Sequence, residues 1–439
     1  MKCYAAKASN LVPSICEQTD WKAGFYNFGK LAQEKPFRRF YNPGVILHEG
    51  AKWLVVRVSE EIDGSPYGRN RLLALKLNEE NQPTNGFKVN FGEAYTDQHF
   101  EDPRIIRLDS GQLLLSCTTF YLEVIRMMDT TMQQWRGAHQ CIVTLDDTFQ
   151  PLTTFDPVYG YNGGSVMQNA SDAKGIAFSE KNWVWFQHNG LLHTVYMTEP
   201  HEVLSWNDDF SAVKEKYETD GPPEGWFQYG HPRGGTPPVR VGDEYWSFFH
   251  SSTPWDEWNA VHPGHARRRY HMGAYAFEAK PPFRITRFSK HPILTGSQKD
   301  PWSDGLPLVV FPCGALFESS QTWYITMGIN DCASAWISIP HEELLPLTPL
   351  INEPQATSTE DPVTTAEPET HGGDSPNSGT VEERHECCGV DGEDACPASS
   401  TGDAGDSEGH GATPAVAQRK RGRRIGRGRR KSVLATGGV

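Results

Sequence analysis

The chain has 439 residues and a formal net charge of −14, and its 21 Phe, 15 Tyr and 13 Trp stand beside 41 Gly and 31 Pro. That composition fits an all-β protein with many turns and little helix. No run is long and apolar enough to cross a bilayer, the nine Cys and sixteen His lack zinc-ligand or disulfide-scaffold spacing, and there is no Gly-rich nucleotide loop, so membrane-span, zinc-module and P-loop classes are excluded.

Residues 1–37 form a mixed lead-in, expected to supply a strand that closes the main domain. Their opening, MKCYAAKASNLVPSICEQTDW, has neither the basic flank nor the unbroken apolar core of a secretory signal, so a cytoplasmic location with free thiols is expected. Five hairpin patterns follow: NPGVILHEGAKWLVVRV from Asn42, EDPRIIRLDSGQLLLSCT from Glu101, EKNWVWFQHNGLLHTVYM from Glu180, GTPPVRVGDEYWSFFH from Gly235 and FPCGALFESSQTWYITM from Phe311. Each reads as strand, polar or Gly turn, and a second strand rich in aromatic and aliphatic residues. Five units of one grammar predict a radial repeat, a five-bladed β-propeller over residues 38–350. The segments QCIVTLDD from Gln140 and YHMGAYAFEAKPPFRITRFS from Tyr270 read as outer strands of the second and fourth blades.

Residues 351–439 are a tail, acidic and rich in Thr, Ser, Pro and Gly, then basic in RKRGRRIGRGRRK from Arg419 to Lys431. The first part buries too little apolar surface to fold and is expected to be disordered. The basic part is read either as a contact for nucleic acid or another anionic surface, or as a solvated tail.

The inner strands of a propeller surround one axis, so polar residues opening each unit should meet at one mouth. Asn42, Asp102, Arg104, Lys181 and Asn182 are those residues, with Arg57, His231, Arg233 and His250 expected nearby. In Glu101-Asp102-Pro103-Arg104 the proline removes a ladder donor and presents the Asp102 carboxylate; the plainer reading is an Asp102–Arg104 ion pair on one strand face. Trp183, Trp185, Trp246 and Trp323 read as blade packing, and Trp255 and Trp258, in a polar loop, as platforms for a sugar ring.

EDPR, YNPGVILHEGAKWLVVRVSE, EKNW, GGTPPVRVGDEYWSFFH, YHMGAYAFE and FPCG…WYITMGIND, in that order from residue 40 to about 340, together resemble glycoside hydrolase family 130, the mannoside phosphorylases and their hydrolytic relatives. The resemblance implies inverting attack on a β-mannosidic bond, with Asp102 as general acid delivering its proton through a sugar hydroxyl. By motif position it implies substrate or phosphate contacts from Arg57, Lys181, Asn182, His250, Tyr270 and Asp331, to which the strand-start argument adds Asn42, Arg104, His231 and Arg233. No cofactor or metal is implied; inorganic phosphate is the co-substrate of the phosphorylases, and the partner is an oligosaccharide or other glycoside. The sequence specifies no oligomeric state.

Three departures bear on the reaction. Where the phosphorylases carry Arg before Pro in the third repeat, this chain has Glu199-Pro200; where they carry Lys before a Gly-Pro-Pro-Pro run, it has His231; and their Tyr-His-Gly is Phe249-His250-Ser251. A carboxylate there repels phosphate and can polarise water, which nominates Glu199 as base, with Glu244 behind it. Two other classes stay open: a non-catalytic propeller gripping a sugar or sugar phosphate, and a scaffold whose basic tail docks on nucleic acid.

Overall fold

The structure is a computed structural model that describes residues 21–29, 37–60, 69–89, 91, 99–127, 130–155, 157, 178–179, 181–261, 267–296 and 308–351. The tail from residue 352, with its acidic and basic blocks, and most of the lead-in lie outside the described residues, as does the side chain of Trp258.

Strand β1 (Lys22–Phe25) is followed by the first sheet, β2 (Phe37–His48), β3 (Ala51–Glu60), β4 (Arg69–Leu77) and β5 (Pro83–Lys88). The second sheet holds β6 (His99–Arg107), β7 (Leu113–Met127), β8 (Thr130–Leu145) and β9 (Pro151–Phe155), with β10 (Phe178–Ser179) parallel to β8. The third is β11 (Val184–His188), β12 (Leu191–Met197), β13 (His201–Trp206) and β14 (Val213–Thr219). In the fourth, β15 (Val239–Val241) and β16 (Glu244–Pro254) lead through a short helix α1 (Asp256–Val261) to β17 (Arg268–Glu278), β18 (Ile285–Phe288) and β19 (Leu294–Thr295). The fifth is β20 (Val310–Glu318), β21 (Thr322–Ile329) and β22 (Ala333–Pro340), to which β1 adds antiparallel as the outermost strand; a single-turn helix α2 (His341–Leu344) follows.

These sheets are the blades of a five-bladed β-propeller, and their side chains show why the ring closes. An apolar strand run is buried on both faces. In β3, Leu54, Val56 and Val58 pack toward the fifth sheet with Tyr324, whereas the intervening Val55 packs toward the second with Leu115 and Phe149. The same alternation fills every other junction. Trp183, Trp185 and Trp206 meet Leu114 and Ile142 between blades two and three. Phe186 meets Tyr245 and Phe277 between three and four, and Trp246 and Phe248 meet Trp323 and Ile337 between four and five. The four tryptophans expected to pack blades are each at most 1 % exposed. Burying one such ring removes about 150–250 Å² from water, roughly 4–6 kcal/mol at the usual apolar coefficient.

Near the axis the backbones approach closely. A Cβ on Gly314 would lie 2.4 Å from the backbone nitrogen of Val45, so the contact between the fifth and first blades admits only glycine. Thr326 adds a hydroxyl bond to the Pro43 carbonyl at 2.5 Å across the same junction.

Candidate active site

In each blade the first strand starts on one face of the ring, the first turn lies on the opposite face, and the second turn returns. The starts of β2, β6, β11, β15 and β20 therefore share a face with the turns after β3, β7, β12, β16 and β21. The register skips between Tyr41 and Gly44 and between Glu101 and Arg104, and these bulges turn Asn42 and Asp102 out of the ladder. Asn42, Asp102 and Asn182 have φ of 51°, 53° and 69°, the left-handed region that Asn and Asp tolerate best among non-glycine residues.

The bulges bring blades one and two together at a carboxylate. Asn42 Nδ2 donates to Asp102 Oδ1 at 2.7 Å, and Arg57 Nη1 reaches the same oxygen at 3.5 Å. The other arm of Arg57, Nη2, is paired with Glu101 Oε1. Asn70 Nδ2 donates to that Glu101 oxygen at 2.7 Å, and the Arg57 guanidinium lies 4.4 Å from the centre of the Tyr41 ring. Burial opposes the Arg57 charge, but Glu101 and then Tyr41, Asp102 and Asp331 raise its proton affinity above the ordinary arginine value. Burial also pushes the Tyr41 phenol up to about 12. Asp331, at φ 50° in the turn after β21, thus acts on the same cluster.

Arg104 does not form the ion pair with Asp102 that a regular strand would give. The bulge leaves its Nη1 on the Asp102 carbonyl at 3.0 Å, and its other bonds run to Asn182 Oδ1 and to the backbone of Gly234 and Gly235. Its guanidinium is 5.8 Å from the Phe311 ring, which lies 4.3 Å from His250.

His250 is 3 % exposed, stacked 6.1 Å from Tyr270, and bonded through its backbone to Arg233, with N to O distances of 2.8 and 3.1 Å. Burial, then the charges of Arg233, Arg104 and Lys181, hold its ring well below the ordinary histidine range, so it is neutral at physiological pH. Lys181, Asn182, Arg233, His250 and Tyr270 therefore form the half of the mouth built by blades three and four. Glu199 lies in the turn after β12, on the same face, 3.5 Å from His231 Nδ1; both side chains are about half exposed.

Two sequence expectations are corrected. Glu244 starts β16, six residues from His250 along the strand or roughly 20 Å, and is held there by Thr286 at 2.6 Å and Arg287 at 3.4 Å. It is a structural carboxylate on the opposite face. Trp255 is 5 % exposed, with Arg269 6.0 Å from its ring centre, so it offers no open platform for a sugar.

Sequence reasoning passed over Glu101, Asn70, Tyr41 and Cys313. Glu101 adjoins Asp102 in EDPR, but regular alternation turns neighbouring carboxylates to opposite faces, and only the bulge lets both reach Arg57. Cys313 is fully buried, its thiol pushed well up by burial, in the field of Arg104, Asp102, Arg57 and Asp331.

The sequence profile of beta-1,4-mannooligosaccharide phosphorylases, glycoside hydrolase family 130, matches residues 17–349. The chain belongs to glycoside hydrolase family 130. The enzyme is accordingly a glycoside phosphorylase or hydrolase. Among solved structures, a β-1,2-mannobiose phosphorylase from Listeria innocua, complexed with β-1,2-mannobiose, superposes with TM-score 0.50 at 16 % identity, covering 74 % of this chain and 99 % of that one. A second, from work on the family 130 glycoside hydrolases that target β-1,2-mannosidic linkages in Candida mannan, also has TM-score 0.50, at 13 % identity, covering 71 % and 87 %. At such identities the likeness establishes the shared propeller fold. A search of curated protein sequences gives no match.

Proposed function

We propose that this family 130 enzyme cleaves a β-mannosidic bond with inversion, Asp102 donating the proton and water serving as the favoured acceptor. The observation that carries the reading is the Asp102 carboxylate, turned out of β6 by a bulge and gripped by Asn42 from the neighbouring blade and by Arg57. A proton donor needs a fixed aim before it needs anything else. In the step, the bond from the anomeric carbon to the leaving oxygen breaks as that oxygen takes the Asp102 proton through a sugar hydroxyl. A water oxygen bonds to the carbon from the opposite side and loses its proton to Glu199. Asn182, Tyr270 and Asp331 supply polar contacts for the sugar.

The preference for water is supported by Glu199 and His231, which place an anion and a weak base where the family resemblance expects Arg and Lys. Inorganic phosphate as acceptor is the second reading, favoured by Lys181 and Arg233, two of the three cations whose charges act on the neutral His250.

Proton NMR of the first product from manno-oligosaccharides, with and without phosphate, tests the reading. α-Mannose released without phosphate is expected, and α-mannose 1-phosphate formed only with phosphate selects the second reading. A β-configured first product, or no release in either condition, overturns both.

A further inference from the structure

Arg104 carries a permanent charge at 1 % exposure, and its four hydrogen bonds all end on neutral oxygens of the protein. Nε donates to the Gly235 carbonyl at 2.6 Å, and Nη2 to the Gly234 carbonyl at 3.1 Å and to Asn182 Oδ1 at 3.4 Å. Nη1 donates to the Asp102 carbonyl at 3.0 Å. Four of the five guanidinium hydrogens are used in this way. The side chain starts in blade two and reaches backbone of blade four and the Asn182 amide of blade three. A group so committed is poorly placed to wrap a sugar or phosphate, the role expected from its place at a strand start.

Its partners suggest another role. Asp102 sits at φ 53°, a conformation disfavoured for a side-chain-bearing residue and kept only where the surroundings over-determine it. The carboxylate is held by Asn42 and Arg57, but its direction also depends on the backbone, because the carbonyl and the Cα–Cβ bond turn together about Cα. Arg104 is the only side chain among the described residues with a hydrogen bond to that carbonyl. We infer that Arg104 is a positioning residue for proton transfer, tying the Asp102 bulge to blades three and four so that the carboxylate keeps its aim. The inference rests on the reading of Asp102 as proton donor.

A misaimed acid costs most where the leaving group most needs a proton. A sugar hydroxyl is a poor leaving group and requires one, whereas dinitrophenolate departs without one. Full-length wild type, Arg104→Met, Arg104→Lys and Asp102→Asn are therefore assayed on a manno-oligosaccharide and on dinitrophenyl β-mannoside, with thermal unfolding of each. Arg104→Met should lower kcat on the oligosaccharide about 100-fold or more, within the range general acids supply, and about tenfold or less on the aryl mannoside, with KM little changed. Arg104→Lys, which keeps charge and length but not the fork, should recover part of the loss.

Asp102→Asn is the control that separates two failures. If it lacks this leaving-group pattern, the proton-donor reading fails and takes the inference with it. If it shows the pattern but Arg104→Met loses activity equally on both substrates, Arg104 is only a structural strut. A raised KM for phosphate at unchanged kcat would make it a ligand instead. Either result overturns the positioning role, and Arg104→Lys gives the same readouts should Arg104→Met fail to fold.

Discussion

Asn42 and Asp102, 60 residues apart in sequence, meet through a 2.7 Å hydrogen bond that joins the inner strands of the first two blades. Both stand on bulges with left-handed backbone, so the bond depends on two irregular strands facing each other. Removing it isolates the contribution of the Asn42 amide to aiming the carboxylate. Asn42→Gly keeps the positive φ available and deletes only the side chain. A hydrogen bond to a charged group is worth about 1.5–3 kcal/mol, so kcat should fall about tenfold or more; an unchanged kcat would show that Arg57 alone suffices.

Arg57 is the cation shared by two carboxylates, Glu101 and Asp102. Arg57→Met removes the charge and leaves both acids in a largely buried site without their counter-ion. Breaking a buried pair from one side costs about 3–5 kcal/mol, so a marked drop in denaturation midpoint at pH 7 is expected. A double variant with Glu101→Gln should recover part of it, and no recovery would mean that the pair is not coupled.

Acid should destabilise the fold through its buried histidines. His201 is packed 5.1 Å from Phe277 and 6.0 Å from Tyr275, and burial lowers its value from 6.5 to about 4. Between those values the unfolded chain binds more protons, so its contribution is complete above the unfolded value and is lost as pH falls toward 4. A lowering of that size corresponds to about 3 kcal/mol. His193 and His271, also held at about 4 chiefly by burial, act in the same direction. Unfolding free energy measured from pH 7 to pH 4 should fall, and His201→Leu should flatten the fall; equal slopes in both proteins would remove His201 from the account.

Glu199 is tested by reversing its charge. Glu199→Arg places a cation beside His231 on the strand-start face, where phosphate would approach. Hydrolysis should drop and phosphate should begin to accelerate turnover, with mannose 1-phosphate appearing among the products. Phosphate-independent turnover equal to wild type would remove Glu199 from the reaction.

Much of the fold was legible in the sequence because propeller blades leave a local signal. LVVRV in β3 and WVWFQH around β11 place apolar residues on both faces, and the polar or Gly turns of the hairpins recur five times. The site was legible as residue types at strand starts, Asn42-Pro43 and Asp102-Pro103, but their partners were not. The Asp102–Arg104 pairing failed because a bulge breaks period-two alternation, which also hid Glu101 behind its neighbour. Glu244 was misplaced because sequence spacing does not show at which end of a strand a residue lies. Trp255 is buried although its loop is polar, with Arg269 6.0 Å from its ring centre, which residue types alone do not show.

Turnover of manno-oligosaccharides by Asp102→Asn is the most direct measure of the whole scheme. The variant keeps the shape of the side chain and its bonding geometry but has no acidic proton to give. Wild-type unfolding temperature together with a loss in kcat of at least about 100-fold is the expected result. A variant that releases sugar at the wild-type rate would contradict the assignment of the proton to Asp102.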